Sequence, residues 1–316
     1  MEGEVNNFAM VWITVFASLC YCHAIAKFIP KGTNRFLAIL PVIILFTLLP
    51  LNLTTVHLGC IFSFFVVCLT NCKILLFAFG KGPLSCTPPI PLSLFIPLAC
   101  LPIKIRDDQS NKESKETPSQ QTLELLLAMI AAFTRILIHE ELEPQFKEPY
   151  LATSLQDFWG RRWNVMVSDI LKPTIFEPTR SIFTGLVGRK YATFLGVLAT
   201  FFVSGLMHEL FFYTYGRQKT RWEVTCFFLL HGLSLSIEMI LKKMVKEKFR
   251  LPTMVSRPLT VMYVVGTGIW LFFPPFSRGN AEVKVCQEYR AFVEFVRNGR
   301  LVSPNDMSCP YLYLPN

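Results

Sequence analysis

An all-α, polytopic transmembrane helical bundle of about eight spans is the architecture this 316-residue sequence predicts. Three features lead there. Apolar residues make up 52% of the chain, with 29 Phe, and they are gathered into runs rather than spread. No charged residue occurs from Phe8 to Ala26 or from Tyr191 to Met207. The bilayer core is about 30 Å thick and takes roughly 17–25 helical residues to cross, so runs of this length read as spans. Finally, the connections are rich in Lys and Arg, as loops flanking spans are.

Eight apolar runs follow in order: Phe8–Phe28, Phe36–Leu53, His57–Phe79, Ile90–Ile103, Leu123–His139, Tyr191–Tyr215, Trp222–Leu241 and Pro258–Phe276. The first has no small-residue cleavage site before Lys27 and Pro30, so it is expected to remain as an anchor rather than be removed as a signal peptide. The fourth is short and carries Pro91, Pro97 and Pro102, which predicts a broken or re-entrant helix covered by its neighbours. From Arg106 to Thr122 there is no apolar side chain, so 104–122 is expected to be a mobile polar loop inside one domain covering 1–316. With the N-terminus facing the lumen, the basic residues of 27–35, 140–190 and 242–257 fall on the cytosolic side, the orientation the basic bias favours. The sequon Asn52-Leu53-Thr54 then falls on the luminal side, close to the bilayer.

The segment 140–190 lies between spans and is amphipathic. Ser154-Leu155-Gln156-Asp157 has the spacing of a capping box, and a helix near 154–171 would run through SLQDFWGRRWNVMVSDIL and stop before Pro173. On it Trp159 and Trp163 share a face, and Asp157 can pair with Arg161. Tryptophan favours the membrane–water boundary, so this helix is placed in the interface.

The net charge of +9 is explained by basic loops and anionic headgroups, which removes the need for nucleic acid as a partner. The ten cysteines form no CxxC pair, and four of them (Cys20, Cys22, Cys68 and Cys72) lie in apolar runs. Neither a zinc site nor a disulfide framework is expected, and the thiols read as small apolar side chains. No GxSxG, Walker loop or GxGxxG occurs, and neither His139 nor His208 begins an HExxH motif.

His23 and His57 sit at or near span ends, but His208 and His231 stand inside apolar runs, where an ionisable side chain is costly and marks a functional position by default. His208, followed by Glu209, sits near the end of GVLATFFVSGLMHELFFY, with Ser204 and Phe211 on its face; it is either a reactive group or a neutral interhelical hydrogen-bond partner. His231, in FFLLHGLSLSIE, has Glu238 two turns on, and an interhelical polar contact is its readier explanation. Composition leaves an enzyme and a transporter both open. A transporter is expected to carry internal repeats, and none is visible.

The pairing of DFWGRRWN at Asp157–Asn164 with SGLMHEL at Ser204–Leu210 separates the two. Together they resemble the signature of the membrane-bound O-acyltransferase superfamily, and closely that of its plant wax synthase branch, which has a near-identical SLQDFWGRRWN followed about forty residues later by a histidine within a span. The likeness extends to FGKGPL at Phe79–Leu84 and the Pro-rich fourth run. The resemblance implies that His208 and Asn164 are the catalytic pair, that fatty acyl-CoA is donor and co-substrate, and that a long-chain fatty alcohol or a sterol is acceptor. It implies an endoplasmic reticulum membrane and neither metal nor cofactor. Trp159, Arg161, Arg162, Trp163, Ser204 and His231 become candidate substrate-binding residues, the two arginines facing CoA phosphates. Buried imidazole favours its neutral form and can accept the alcohol proton, a contribution of about 10²–10⁴-fold. Asn164 would either supply an oxyanion donor or orient His208. Oligomeric state is not specified.

Overall fold

The structure, a computed structural model, describes residues 2–53, 55–61, 64–86, 89–101, 146–217, 219–244 and 251–309. The fifth apolar run, the polar loop 104–122, His139 and Thr54 of the sequon lie outside these residues. Among the described residues every regular element is helical.

α1 (Glu2–Ile25) and α2 (Thr33–Leu48) are the first two apolar runs. The third run begins with a π-helical turn, Val56–Ile61. After Phe64 it continues as a π-helical stretch, Phe65–Thr70, that passes directly into α3 (Asn71–Ala78). α1 buries Val11, Val15, Leu19 and Cys22, one face at helical spacing, while Met10, Ile13 and Phe16 point outward. Lipid is as apolar as leucine, so inward packing here reflects shape and dispersion, and the outward face meets acyl chains.

The fourth run forms only α4 (Leu92–Cys100), nine residues. At about 1.5 Å per residue it reaches roughly 14 Å, under half of a bilayer. Its broken end is held by a residue the sequence reading passed over. Lys73, 1% exposed, donates from Nζ to the carbonyls of Leu98 (2.6 Å) and Leu101 (2.7 Å), satisfying acceptors that the helix end would leave bare in hydrocarbon.

The single interfacial helix expected over 154–171 is instead three pieces. A one-turn helix, Leu155–Asp157, widens into a π-turn, Phe158–Arg162. Trp163 is extended and Asn164 left-handed (φ 43°), and α5 (Val165–Leu171) starts afresh. The chain does not stop at Pro173 either. A π-turn, Lys172–Phe176, absorbs the proline and leads into α6 (Glu177–Gly216), kinked at Gly188 where φ is 80°. α7 (Glu223–Met244) and α8 (Thr253–Thr267) follow, then a π-turn and the short α9 (Pro274–Arg278), and last the amphipathic α10 (Ala281–Asn298). By length and composition Val5–Ile25, Val165–Thr214, Glu223–Met244 and Thr253–Arg278 can each cross a membrane, and Thr33–Leu48 and Phe65–Ala78 are shorter apolar helices.

α6 and α7 pack closely because glycine permits it. A Cβ on Gly205 would lie 2.9 Å from the Thr225 Cα, and one on Gly232 would lie 3.0 Å from the Phe201 Cβ.

One rim of the bundle is closed by Arg217 on the carbonyls of Leu51 (2.6 Å) and Leu53 (2.9 Å), by the Arg278–Glu223 pair, and by Glu288 against His57 (2.7 Å). A disulfide, Cys286–Cys309, ties the C-terminal segment to α10. It corrects the expectation that the cysteines act only as small apolar residues: the two are 23 positions apart and meet only because the chain doubles back along α10. The motif 154–163 lies at the opposite end of α7, beside Glu238.

Candidate active site

His208 sits one turn past Gly205, so the close approach of α6 to α7 brings its ring onto Phe228 (centroids 4.6 Å). Phe64 (5.2 Å) and Phe272 (5.7 Å) complete an aromatic surround. The ring Nδ1 lies 2.7 Å from the carbonyl oxygen of Ser204. A carbonyl only accepts, so Nδ1 carries the proton and Nε2 is the unprotonated, basic nitrogen. Ser204 therefore acts through its backbone, fixing the tautomer.

His208 and Ser204 line a cavity of about 20 Å³ whose other walls are apolar, among them Phe64, Cys68, Cys72, Val167, Ile170 and Met207. A space of this size holds about one water or one hydroxyl group. Three segments converge on it: the third run, α5 and α6.

Among the described residues no hydrogen bond joins Asn164 to His208. Its left-handed backbone ends the π-turn, and its Oδ1 accepts from the Val167 N–H (3.4 Å), capping α5. Val167 lines the cavity, so Asn164 reaches the site through the helix that it starts. The group that holds the imidazole Nδ1 is the Ser204 carbonyl, one helical turn below on the same helix.

The Asp157–Arg161 pair is also corrected. Asp157 Oδ2 accepts from Arg162 Nε at 2.7 Å, since the π-turn places i and i+5 on one side. Arg162 further donates to the carbonyls of Lys147 (3.2 Å) and Glu148 (3.1 Å), which makes it a structural clamp on the loop. Arg161 is exposed and makes no hydrogen bond or ion pair among the described residues. Trp163 stacks on Phe158 (5.4 Å, 14° between planes) at the surface, whereas Trp159 turns inward against Phe201, Phe227 and Phe228. Phe228 thus separates Trp159 from His208 by a single ring.

α7 grips the motif at two points one heptad apart. The Trp159 indole N–H, a donor only, points to His231 Nδ1 (3.1 Å), which must therefore be the acceptor. His231 Nε2 then donates to Thr267 Oγ1 (2.9 Å), whose hydroxyl passes on to the Tyr263 carbonyl (2.7 Å). Both imidazole nitrogens are occupied, so His231 is a neutral interhelical link and not a free base. Two turns on, Glu238 accepts from the backbone N–H groups of Leu155 (2.7 Å) and Gln156 (3.4 Å), satisfying the first turn of the motif helix, and pairs with Lys242 (2.7 Å). The sequence placed His231 and Glu238 on one face; it gave no sign that their partner was the tryptophan motif. Glu209 is likewise structural, its carboxylate accepting from the Thr225 N–H (3.1 Å) in the first turn of α7.

The described elements are those of a helical membrane bundle, and residues 142–230 match the membrane bound O-acyl transferase family. The chain belongs to that family. It is 39% identical to the acyl-CoA–sterol O-acyltransferase 1 of Arabidopsis thaliana over 92% of this chain and 96% of that protein. It is 39% identical to the long-chain-alcohol O-fatty-acyltransferase of Simmondsia chinensis (94% and 97%) and 40% identical to a probable long-chain-alcohol O-fatty-acyltransferase 1 of Arabidopsis thaliana (91% and 96%). No solved structure matches the chain.

Proposed function

We propose that this protein transfers a fatty acyl group from acyl-CoA to the hydroxyl of a long-chain alcohol, releasing a wax ester and free CoA. The observation that carries the reading is the His208 tautomer: Nδ1 donates to Ser204, and Nε2 is left basic beside an apolar cavity the size of a hydroxyl. The alcohol O–H gives its proton to Nε2 as its oxygen attacks the thioester carbonyl. The tetrahedral intermediate collapses with cleavage of the C–S bond, and the imidazolium returns the proton to the departing CoA sulfur. The thioester is already activated, so the protein's main tasks are deprotonation and the exclusion of water, which the phenylalanine surround serves.

Of the two motif arginines, Arg161 is our candidate for the anionic phosphates of CoA, a choice supported by its exposure and by the engagement of Arg162 with Asp157 and two carbonyls. Asn164 positions the α5 wall of the cavity. An endoplasmic reticulum membrane, with the disulfide-bearing rim in the oxidising lumen, fits both the basic loops and the Cys286–Cys309 bond.

A sterol acceptor is the second reading, favoured by the likeness to the acyl-CoA–sterol O-acyltransferase. Microsomes carrying the protein, given labelled acyl-CoA with a panel of alcohols and sterols, should form wax ester, and His208→Ala should lower the rate by about 10²–10⁴-fold. Ester formation undiminished in that variant at normal expression rejects the assignment, and sterol ester alone selects the second reading.

A further inference from the structure

α10 (Ala281–Asn298) is pinned to the bundle at both its approach and its second turn. Arg278, three residues before it, pairs with Glu223 at the first turn of α7. Glu288 accepts from the backbone N–H groups of Val56 and of His57 (2.9 Å) and from the His57 ring, at the start of the third apolar run. Both anchor points lie at span ends on the same rim, so the helix runs along that rim instead of standing away from it.

Ala291 marks its inward side and is buried, while Glu288 and Cys286, two positions apart and so on different sides of the helix, are each partly buried. A different side carries Val285, Tyr289, Phe292 and Val296, spaced i, i+4, i+7 and i+11, an unbroken apolar stripe. Tyr289, Phe292 and Val296 are 65%, 61% and 65% exposed, and Phe295 beside them is also open. Arg290, which donates to the Ser308 carbonyl, and Arg297 are exposed off the stripe, and Glu294 lies opposite it. Four large apolar residues left in water on one face would be an exposed patch of the kind that marks an interaction surface.

The fold indicates what covers it. α10 follows the last span after a two-residue turn, and the end of that span turns Ile269, Trp270 and Phe273 outward, to where acyl chains lie. The stripe lies on the helix that directly follows this lipid-facing surface along the chain. We propose that α10 is a second interfacial helix, lying in the headgroup–acyl boundary of the leaflet on the disulfide-bearing side, with Tyr289 and Phe292 inserted into lipid. Its apolar face and aromatic content are those of helices that lie in a bilayer surface. Through the Glu288 grip on Val56 and His57, the helix is fastened to the chain segment that goes on to carry Phe64 and Cys68 into the His208 cavity.

The test uses the full chain in phosphatidylcholine nanodiscs, with the photocrosslinker p-benzoylphenylalanine placed singly at Tyr289, Phe292, Val296 or Arg297. Mass spectrometry after irradiation should find phosphatidylcholine adducts at Tyr289, Phe292 and Val296 and none at Arg297. Adding Phe292→Asp and Tyr289→Asp together should abolish the adduct at Val296 while the spans remain inserted. Covalent dimers from the stripe positions would make the surface a contact between copies and overturn the proposal. Adducts equal at Val296 and Arg297, or absent from all three stripe positions, would overturn it as well.

Discussion

Replacing His231 separates a link from a base. In His231→Leu the Trp159 indole N–H loses its acceptor inside the aromatic cluster, while the Thr267 hydroxyl keeps its own acceptors at Tyr263 and Val264. The cost is therefore dominated by one stranded buried donor, about 1–3 kcal/mol. Interhelical hydrogen bonds in membranes average nearer 0.6 kcal/mol, because the loosened state finds other partners, which places the expected loss toward the lower end of that range. A loss of 1–3 kcal/mol corresponds to about a 5- to 150-fold fall in the docked motif, and turnover should fall with it. His231→Gln can accept from Trp159 through its carbonyl and donate to Thr267 through its amide, so it should recover most of the activity. The assay is microsomal ester formation across pH, with protein melting temperature alongside. A linking role predicts that Leu lowers rate and melting temperature together, that Gln restores both, and that the shape of the pH profile is unchanged in either. Gln as inactive as Leu at wild-type stability, with an altered profile, would show that the imidazole itself exchanges protons in turnover and would refute the reasoning.

At Asn164 the structure predicts that Gly is tolerated better than Ala: both lose the cap, worth about 0.5–2 kcal/mol, but only Ala must also bear the left-handed backbone, about 1 kcal/mol more. Equal inactivity of the two variants in well-inserted protein would point to the Asn164 amide as an oxyanion donor. Gly205→Val should separate α6 from α7 and displace His208, seen as lost activity with lowered thermal stability; a fully active variant would mean that the 2.9 Å approach to Thr225 is not needed. The His57–Glu288 pair should give α10 a pH dependence. Its carboxylate partner's hydrogen bond raises the His57 pKa above the ordinary 6.5, so that contribution is complete below 6.5 and disappears as pH rises through the raised value. Burial pushes Glu288 upward, but hydrogen bonds from the His57 ring and the backbone amides of His57 and Val56 outweigh it and hold it below 4.5. Its share is complete above 4.5 and is lost as pH falls through the lowered value. Hydrogen exchange in α10 should be slowest between these limits, and His57→Gln should remove the alkaline arm; an unaltered arm would refute the pairing. Cys286 and Cys309 should resist maleimide in sealed microsomes until reductant is added, while prompt labelling would place them as free thiols.

The sequence alone determined the helical membrane class, because the length of an uncharged run is a local property measured against the thickness of a bilayer. It also singled out His208 and the tryptophan motif, since an ionisable side chain in hydrocarbon and a dense signature both stand out along a line of residues. The proline-rich fourth run was legible as broken for the same local reason. What the chain could not display was which groups meet. Arg162 rather than Arg161 takes Asp157 because a π-turn changes the angular step, and no residue pattern in 154–171 marks that widening. Lys73 holding α4, His231 holding Trp159, Glu288 holding Val56 and the Cys286–Cys309 bond all join positions that are distant along the chain or reached only by its doubling back. Such contacts are decided by how helices pack, and packing depends on glycine-sized gaps between whole surfaces. The place of Asn164 belongs there too: the sequence marked the residue, but only the folded chain gave it a helix to cap and set the Ser204 carbonyl against the His208 ring.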